Sequence, residues 1–213
     1  TWRASPKGAC LSARSSPSLR KAGSSQRPTT DVRGEHVGGL GKTRLSLEVA
    51  AEVLHDYPDG VWFVELAPVS DPRLVANAVA ATLGVKEEPG RPIIETLRQF
   101  VCDRTILLVL DNCEHLLLAC AQLARDLLQA GPRMAIVATS REPLHVAGEA
   151  VFPLATLPVP DPASELAPDA LGGYAAVQLF LDRAINVRPD FALTRQNAAA
   201  VARICRDLDG IPL

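Results

Sequence analysis

Eight consecutive residues, Val37-Gly38-Gly39-Leu40-Gly41-Lys42-Thr43-Arg44, bring together the residue types that hold a polyphosphate. Three glycines let the backbone curl so that successive N–H groups point inward at an anion. Lys42 can reach the outer phosphates as a point charge, and the Thr43 hydroxyl can ligate Mg²⁺. A helix opening at Lys42 turns the positive end of its dipole toward the same anion. The pattern is incomplete, because a full phosphate-binding loop has glycine six residues before the lysine. Here that position is His36. Such a loop carries weight only in context: a strand before it, a helix after it, and a separate acidic strand end for the metal.

Two later stretches supply candidate partners. Ile106-Leu107-Leu108-Val109-Leu110 is a run of five apolar residues that ends in Asp111. A parallel strand covered on both faces has this uniformly apolar look, and its C-terminal end opens at the ligand crevice. Asp111 there can hold Mg²⁺, often through water. The alternative is a buried strand whose aspartate caps the next helix. Met134-Ala135-Ile136-Val137-Ala138-Thr139 reads as a second buried strand, ending in Ser140-Arg141. An arginine at that edge can sense a γ-phosphate. Its plainer reading is a surface arginine paired with Glu142 or Glu149.

The elements that must position these groups follow from periodicity and punctuation. Residues 42–56 carry Leu45, Val49 and Val53 at helical spacing, and Tyr57-Pro58-Asp59-Gly60 ends them. Residues 61–66 form a short β-type run. Ser70-Asp71-Pro72 starts a helix that runs to about residue 83, before Gly84. Further helices are expected over 92–102 and 114–129, with Gly131-Pro132 as a stop, and a final strand at 150–154. A parallel sheet flanked by helices results, an α/β fold spanning 37–155. Residues 156–172, rich in proline and acid, read as a linker. The 173–213 region reads as the start of a small helical extension with helices at 174–186 and 194–208, the second capped by Thr194.

Composition bounds the rest. The chain has 213 residues, 47% of them hydrophobic, and no apolar run approaches the length that spans a bilayer. Five cysteines form no C-x-x-C pair, which points to reduced thiols and a cytoplasmic setting. Cys113 and Cys120 lie two helical turns apart, and core packing explains them better than a metal. Residues 1–36 hold seven basic and two acidic side chains, against 15 basic and 22 acidic in the remainder. The body therefore lacks an overall basic footprint for nucleic acid. The leader, with seven serines and no apolar period, reads as disordered. It could be a basic arm, a transit peptide or a loose end. It could also reflect a shifted reading frame, since the strand that should feed the glycine loop is missing: Thr29-Thr30-Asp31-Val32-Arg33-Gly34-Glu35-His36 holds one valine. Resequencing the coding DNA tests that, and an intact frame removes it. The terminal Asp209-Gly210-Ile211-Pro212-Leu213 is apolar enough to suggest that more chain follows.

Four motifs occur in order. They are Gly38-Gly39-Leu40-Gly41-Lys42-Thr43-Arg44-Leu45, Leu108-Val109-Leu110-Asp111-Asn112-Cys113-Glu114-His115-Leu116, Ala138-Thr139-Ser140-Arg141-Glu142-Pro143-Leu144 and Asp209-Gly210-Ile211-Pro212-Leu213. Together they resemble the NB-ARC-type nucleotide-binding domain of bacterial STAND regulatory ATPases, particularly large LuxR-type and SARP-type transcriptional regulators. The resemblance covers about residues 37–213. It implies a P-loop NTPase fold that binds ATP or ADP with Mg²⁺ and acts as a switch. Gly38, Gly39, Leu40, Gly41, Lys42, Thr43 and Arg44 then form the nucleotide loop, and Pro212 lies against the adenine. Thr43 and Asp111 hold the metal, and Arg141 is the sensor arginine. Asn112 stands at the second acidic position and cannot act as a base, so water activation falls to Glu114 or is slow. Lys42, Glu114 and Arg141 are the catalytic candidates. The resemblance also implies self-association through the ATPase domain, no membrane, and DNA contact only through domains absent from this chain. The competing expectation is a degenerate remnant, or an interaction module that keeps the fold without the nucleotide. A small-molecule kinase is weaker, because no substrate-positioning constellation stands out.

Overall fold

The apolar run ending at Asp111 forms the central strand, β3 (Leu107–Asp111), every residue of which is buried. The structure is a computed structural model; it describes residues 11–13 as backbone, 39–161 and 167–212. β2 (Val61–Glu65) pairs parallel with β3 on one side, in the register Glu65 opposite Asp111. β4 (Ala135–Ala138) pairs parallel with β3 on the other side. Alternation along the strands divides the side chains between two faces. Leu108, Leu110, Ile136 and Ala138 join a core with α2 (Val75–Leu83), α3 (Ile93–Val101) and α4 (Leu117–Ala130). Leu107, Val109, Ala135 and Val137 pack on the opposite face with Ala50 of α1 (Lys42–Glu52). With helices on both faces, the three parallel strands are apolar up to the carboxylates Glu65 and Asp111 that end β2 and β3.

Two further strands extend the sheet to the order β2-β3-β4-β1-β5. β1 (Leu11–Ala13) runs antiparallel to both β4 and β5 (Ala150–Phe152). β4 and β5 therefore point the same way, one strand apart. Three residues of the 1–36 leader, for which the sequence suggests disorder, pair in the sheet. The physical reason is the row of backbone N–H and C=O groups that each flanking strand presents to the gap. Any short extended segment satisfies them, and no side-chain period announces it. The rest of the leader, including His36, lies outside the described residues.

Several helix boundaries differ from expectation. The first α-helix stops at Glu52, and Leu54–Asp56 continues as a 3-10 turn. Pro72–Leu74 and Cys113–His115 are 3-10 turns that precede α2 and α4. At the first of these the Asp71 carboxylate accepts from the Arg73 N–H at 2.9 Å, the cap that the sequence suggested. Cys113 and Cys120 are both fully buried in the core cluster. No described helix is long and apolar enough to cross a membrane.

Residues 154–213 form a second unit. It holds α5 (Pro168–Leu171), α6 (Ala175–Val187) and α7 (Ala198–Asp207). Ala176, Val177, Val201 and Cys205 make its core, and Leu157 and Val159 of the expected linker pack against them. Residues 162–166 and Leu213 lie outside the described residues. α7 begins later than the sequence suggested. The Asn197 Oδ1 accepts from the Thr194 N–H at 2.7 Å, and its amide donates to the Ala192 carbonyl at 2.9 Å. Asn197, not Thr194, therefore organises the turn before the helix, because its side chain offers the backbone a non-helical alternative.

Candidate functional site

The glycine loop ends with Gly39 at φ +88° and Gly41 at φ +76°. In that left-handed region a residue with a Cβ costs roughly 1–2 kcal/mol, so glycine is the fitting choice. Gly41 is the N-cap of α1; no side chain caps the first turn and no acidic residue lies within it. The start of the helix carries the positive end of its dipole, with no acidic side chain in the first turn to offset it. Lys42 is only 6% exposed and Thr43 is fully buried. The Lys42 ammonium has no hydrogen bond or ion pair among the described residues. A buried cation is costly unless an anion pairs with it.

Across 68 residues of sequence, the Thr43 hydroxyl donates to Asp111 Oδ1 at 2.6 Å. The Thr139 hydroxyl donates to the same oxygen at 2.7 Å. The start of α1 and the C-terminal tip of β3 therefore lie side by side. Asp111 is 3% exposed. Burial pushes its carboxyl above the usual aspartate range, the two hydroxyl donors oppose that rise, and the charges of Glu65 and Glu114 add to it. The folded chain thus keeps this proton to a higher pH than the unfolded chain does. The stability that Asp111 contributes accordingly falls as pH rises from its ordinary value through the raised one.

Asp111→Asn is expected to stabilise the ligand-free protein. The amide oxygen still accepts both hydroxyls, while the buried charge and its repulsion from Glu65 and Glu114 disappear. A rise in Tm of roughly 2–4 °C is expected at neutral pH, the shift made by about 1 kcal/mol in a chain of this size. A thermal melt followed by circular dichroism checks it.

Past Asp111 the chain turns sharply. Asn112 takes φ +66°, a conformation that asparagine tolerates better than most residues. Its N–H donates to Thr139 Oγ1 at 2.6 Å, and the Cys113 N–H donates to the Thr139 carbonyl at 2.8 Å. This turn carries Glu114, whose Oε1 pairs with Arg141 Nε at 3.2 Å. The other carboxylate oxygen of Glu114 is buried and has no hydrogen-bond partner among the described residues. Arg141 therefore finds neither Glu142 nor Glu149. Glu149 instead accepts from the Leu144 and Val146 backbone at 2.9 and 3.2 Å.

Lys42, Thr43, Asp111, Glu114 and Arg141 all belong to the sheet unit. Leu40 is half-buried beside the glycines, and Arg44 is exposed on α1. Gly38 lies outside the described residues. Pro212 belongs to the helical unit, two residues after Gly210. Sequence reading missed Thr139 and Glu65 as members of the site. Thr139 did leave a signal, a polar pair with Ser140 breaking an apolar strand at its C-terminal end.

Comparisons with known proteins give relatives but no fold match. A Mycobacterium tuberculosis protein named "Putative HTH-type transcriptional regulator" is 45% identical over 176 residues, 83% of this chain and 18% of its own length. An uncharacterized protein of the same organism is 41% identical over 175 residues, covering 82% of this chain and 41% of its own length. Regulatory protein AfsR of Streptomyces griseus is 32% identical over 116 residues, 49% of this chain and 11% of its own. The chain thus spans less than half the length of each of these relatives. No family model matches the chain, and no solved structure matches it. The chain is similar to one segment of longer proteins, two of them named as regulators.

Proposed function

We propose that this chain is the nucleotide-binding segment of a transcriptional regulator, a P-loop domain of the NB-ARC/STAND kind. In this reading it takes ATP or ADP with Mg²⁺ and works as a switch whose hydrolysis is slow or absent. The observation that carries the reading is the 2.6 Å bond from Thr43 to Asp111. It joins the helix mouth and the acidic strand end, the two halves that a phosphate-and-metal site requires.

The residues fit the implied groups. Left-handed glycines, a helix N-terminus and a buried ammonium with no hydrogen bond or ion pair among the described residues suit an anion. Thr43 and Asp111 are hard oxygen donors of the kind that Mg²⁺ prefers. Bound Mg²⁺ supplies charge neutralisation for the phosphates. Lys42 binds the outer phosphates, and the glycine loop orients them. Asn112 offers no base, and Glu114 is engaged by Arg141, so a water molecule is poorly activated in this arrangement. Arg141 leaves Glu114 when a γ-phosphate competes for it, which gives the two nucleotides different effects on the protein. Pro212 is assigned to the adenine by the resemblance. Location in the cytoplasm, self-association through this domain, and DNA contact by domains outside this chain complete the proposal.

One observation favours the second reading, an interaction module without nucleotide. Leu11–Ala13 fills the gap between β4 and β5 in the antiparallel sense. A parallel strand there would lead toward the glycine loop. Titration of ADP and ATP with and without Mg²⁺, by calorimetry and with a fluorescent analogue, separates the two. Mg²⁺-dependent binding is expected. Well-folded protein that binds neither nucleotide by either method leaves the interaction module standing.

A further inference from the structure

Thr139 is fully buried, and every polar group it carries is engaged. Its backbone N–H donates to the Leu110 carbonyl at 2.8 Å, and its carbonyl accepts from the Cys113 N–H at 2.8 Å. Its hydroxyl accepts from the Asn112 N–H at 2.6 Å and donates to Asp111 Oδ1 at 2.7 Å. A hydroxyl has one proton. With the Asn112 N–H directed at the oxygen, that proton points at Asp111. Asp111 Oδ1 thereby receives two O–H donors, from Thr43 and Thr139, while Oδ2 receives none among the described residues.

We infer that Thr139 is a positioning residue for Asp111: it locks the carboxylate rotamer from the neighbouring strand and leaves Oδ2 available to a divalent cation. The inference rests on the nucleotide reading above. The two donors are not equivalent. Thr43 belongs to the helix that opens from the glycine loop, and its hydroxyl is itself a candidate metal ligand. Thr139 directly follows β4, and its backbone bonds to the Leu110 carbonyl and the Cys113 N–H fix it independently of any ligand. It is the donor that keeps Asp111 in place whether or not the loop is occupied. The same residue ties the carboxylate to the turn bearing Glu114, and through Glu114 to Arg141. Preorganisation of this kind acts on metal-dependent affinity and leaves metal-free nucleotide contacts alone.

The test compares Thr139→Val, which keeps the shape and loses the hydroxyl, with Thr139→Ser, which keeps the hydroxyl. ADP affinity is measured for each in Mg²⁺ and in EDTA. Wild type is expected to bind more tightly in Mg²⁺. Thr139→Val is expected to lose about tenfold of that gain with its EDTA affinity unchanged, and Thr139→Ser to stay within roughly twofold of wild type in both. If Thr139→Val keeps the full Mg²⁺ gain, or loses affinity equally in both buffers, the positioning role is overturned while the nucleotide reading survives. If wild type binds no nucleotide, both fall together. Should Thr139→Val fail to fold, Thr139→Cys replaces it under the same criteria, since a thiol is a weak donor of similar size.

Discussion

Lys42→Ala abolishes Mg²⁺-dependent binding of ADP and ATP, lowering affinity by at least about 100-fold, while the ligand-free protein keeps or gains stability. The two halves of this result have one cause. Lys42 is 6% exposed and has no anionic partner among the described residues. An ammonium held this way has little access to water, and no hydrogen bond or ion pair among the described residues replaces it. A phosphate arriving at the glycine loop restores a charge-assisted contact in a partly dry site, where such contacts are strongest. Removing the side chain deletes that gain and also deletes the desolvation cost. Lys42→Arg does not rescue binding, because a planar guanidinium needs more room than a point charge at the mouth of α1. Calorimetry gives the affinity and a thermal melt gives the stability. Alanine binding as tightly as lysine would remove the anion cradle from the account. A variant that loses binding only because it unfolds would show it in the melt.

The parts of this site that were legible in the sequence are those set by short-range pattern. Five apolar residues before Asp111 suit a strand covered on both faces, because such a strand meets apolar neighbours at every position. Gly41 before Lys42 announces a left-handed turn into a helix, because few residues accept that backbone. The unread parts depend on pairs that only the fold brings together. Arg141 has two glutamates near it in sequence, yet it pairs with Glu114, 27 residues earlier, because the turn after β3 lies beside the end of β4. Glu149, in the sequence a candidate partner for Arg141, is instead engaged by two backbone amides. Thr139 reads as the last residue of a strand, and its role appears only when its hydroxyl is found between Asn112 and Asp111. Leu11–Ala13 is the extreme case. The gap it fills is a property of β4 and β5, and nothing in three residues encodes it.

Gly210→Ala is expected to cost the helical unit more than about 3 kcal/mol, well beyond the usual range for one added methyl group. Gly210 follows α7 with φ +68°, next to Asp209 at φ +49°. The chain there reverses, with the Gly210 N–H bonded to the Cys205 carbonyl at 3.1 Å. A Cβ on Gly210 would lie 2.0 Å from the Leu157 carbonyl oxygen and 3.0 Å from its carbon. Both are backbone atoms, so no side chain can rotate away to make room. The contact is fixed from the other side as well, since the Leu157 N–H donates to the Gly210 carbonyl at 2.8 Å. Relief requires the segment around Leu157 and Val159 to leave α6 and α7, which uncovers Ala176, Val177 and Cys205. Strain at a left-handed position, a lost backbone bond and exposed core then add in the same direction. Gly172→Ala is the control within the same unit. Its added Cβ would meet only ordinary contacts, at 3.5 and 3.7 Å from backbone oxygens, in a backbone that alanine adopts freely. It should be neutral or slightly stabilising, through reduced freedom of the unfolded chain. Thermal melts and dye binding on the two variants distinguish them. A Gly210→Ala protein that melts with Gly172→Ala, without new dye binding, would mean that the Leu157 segment is not held against α7 as described.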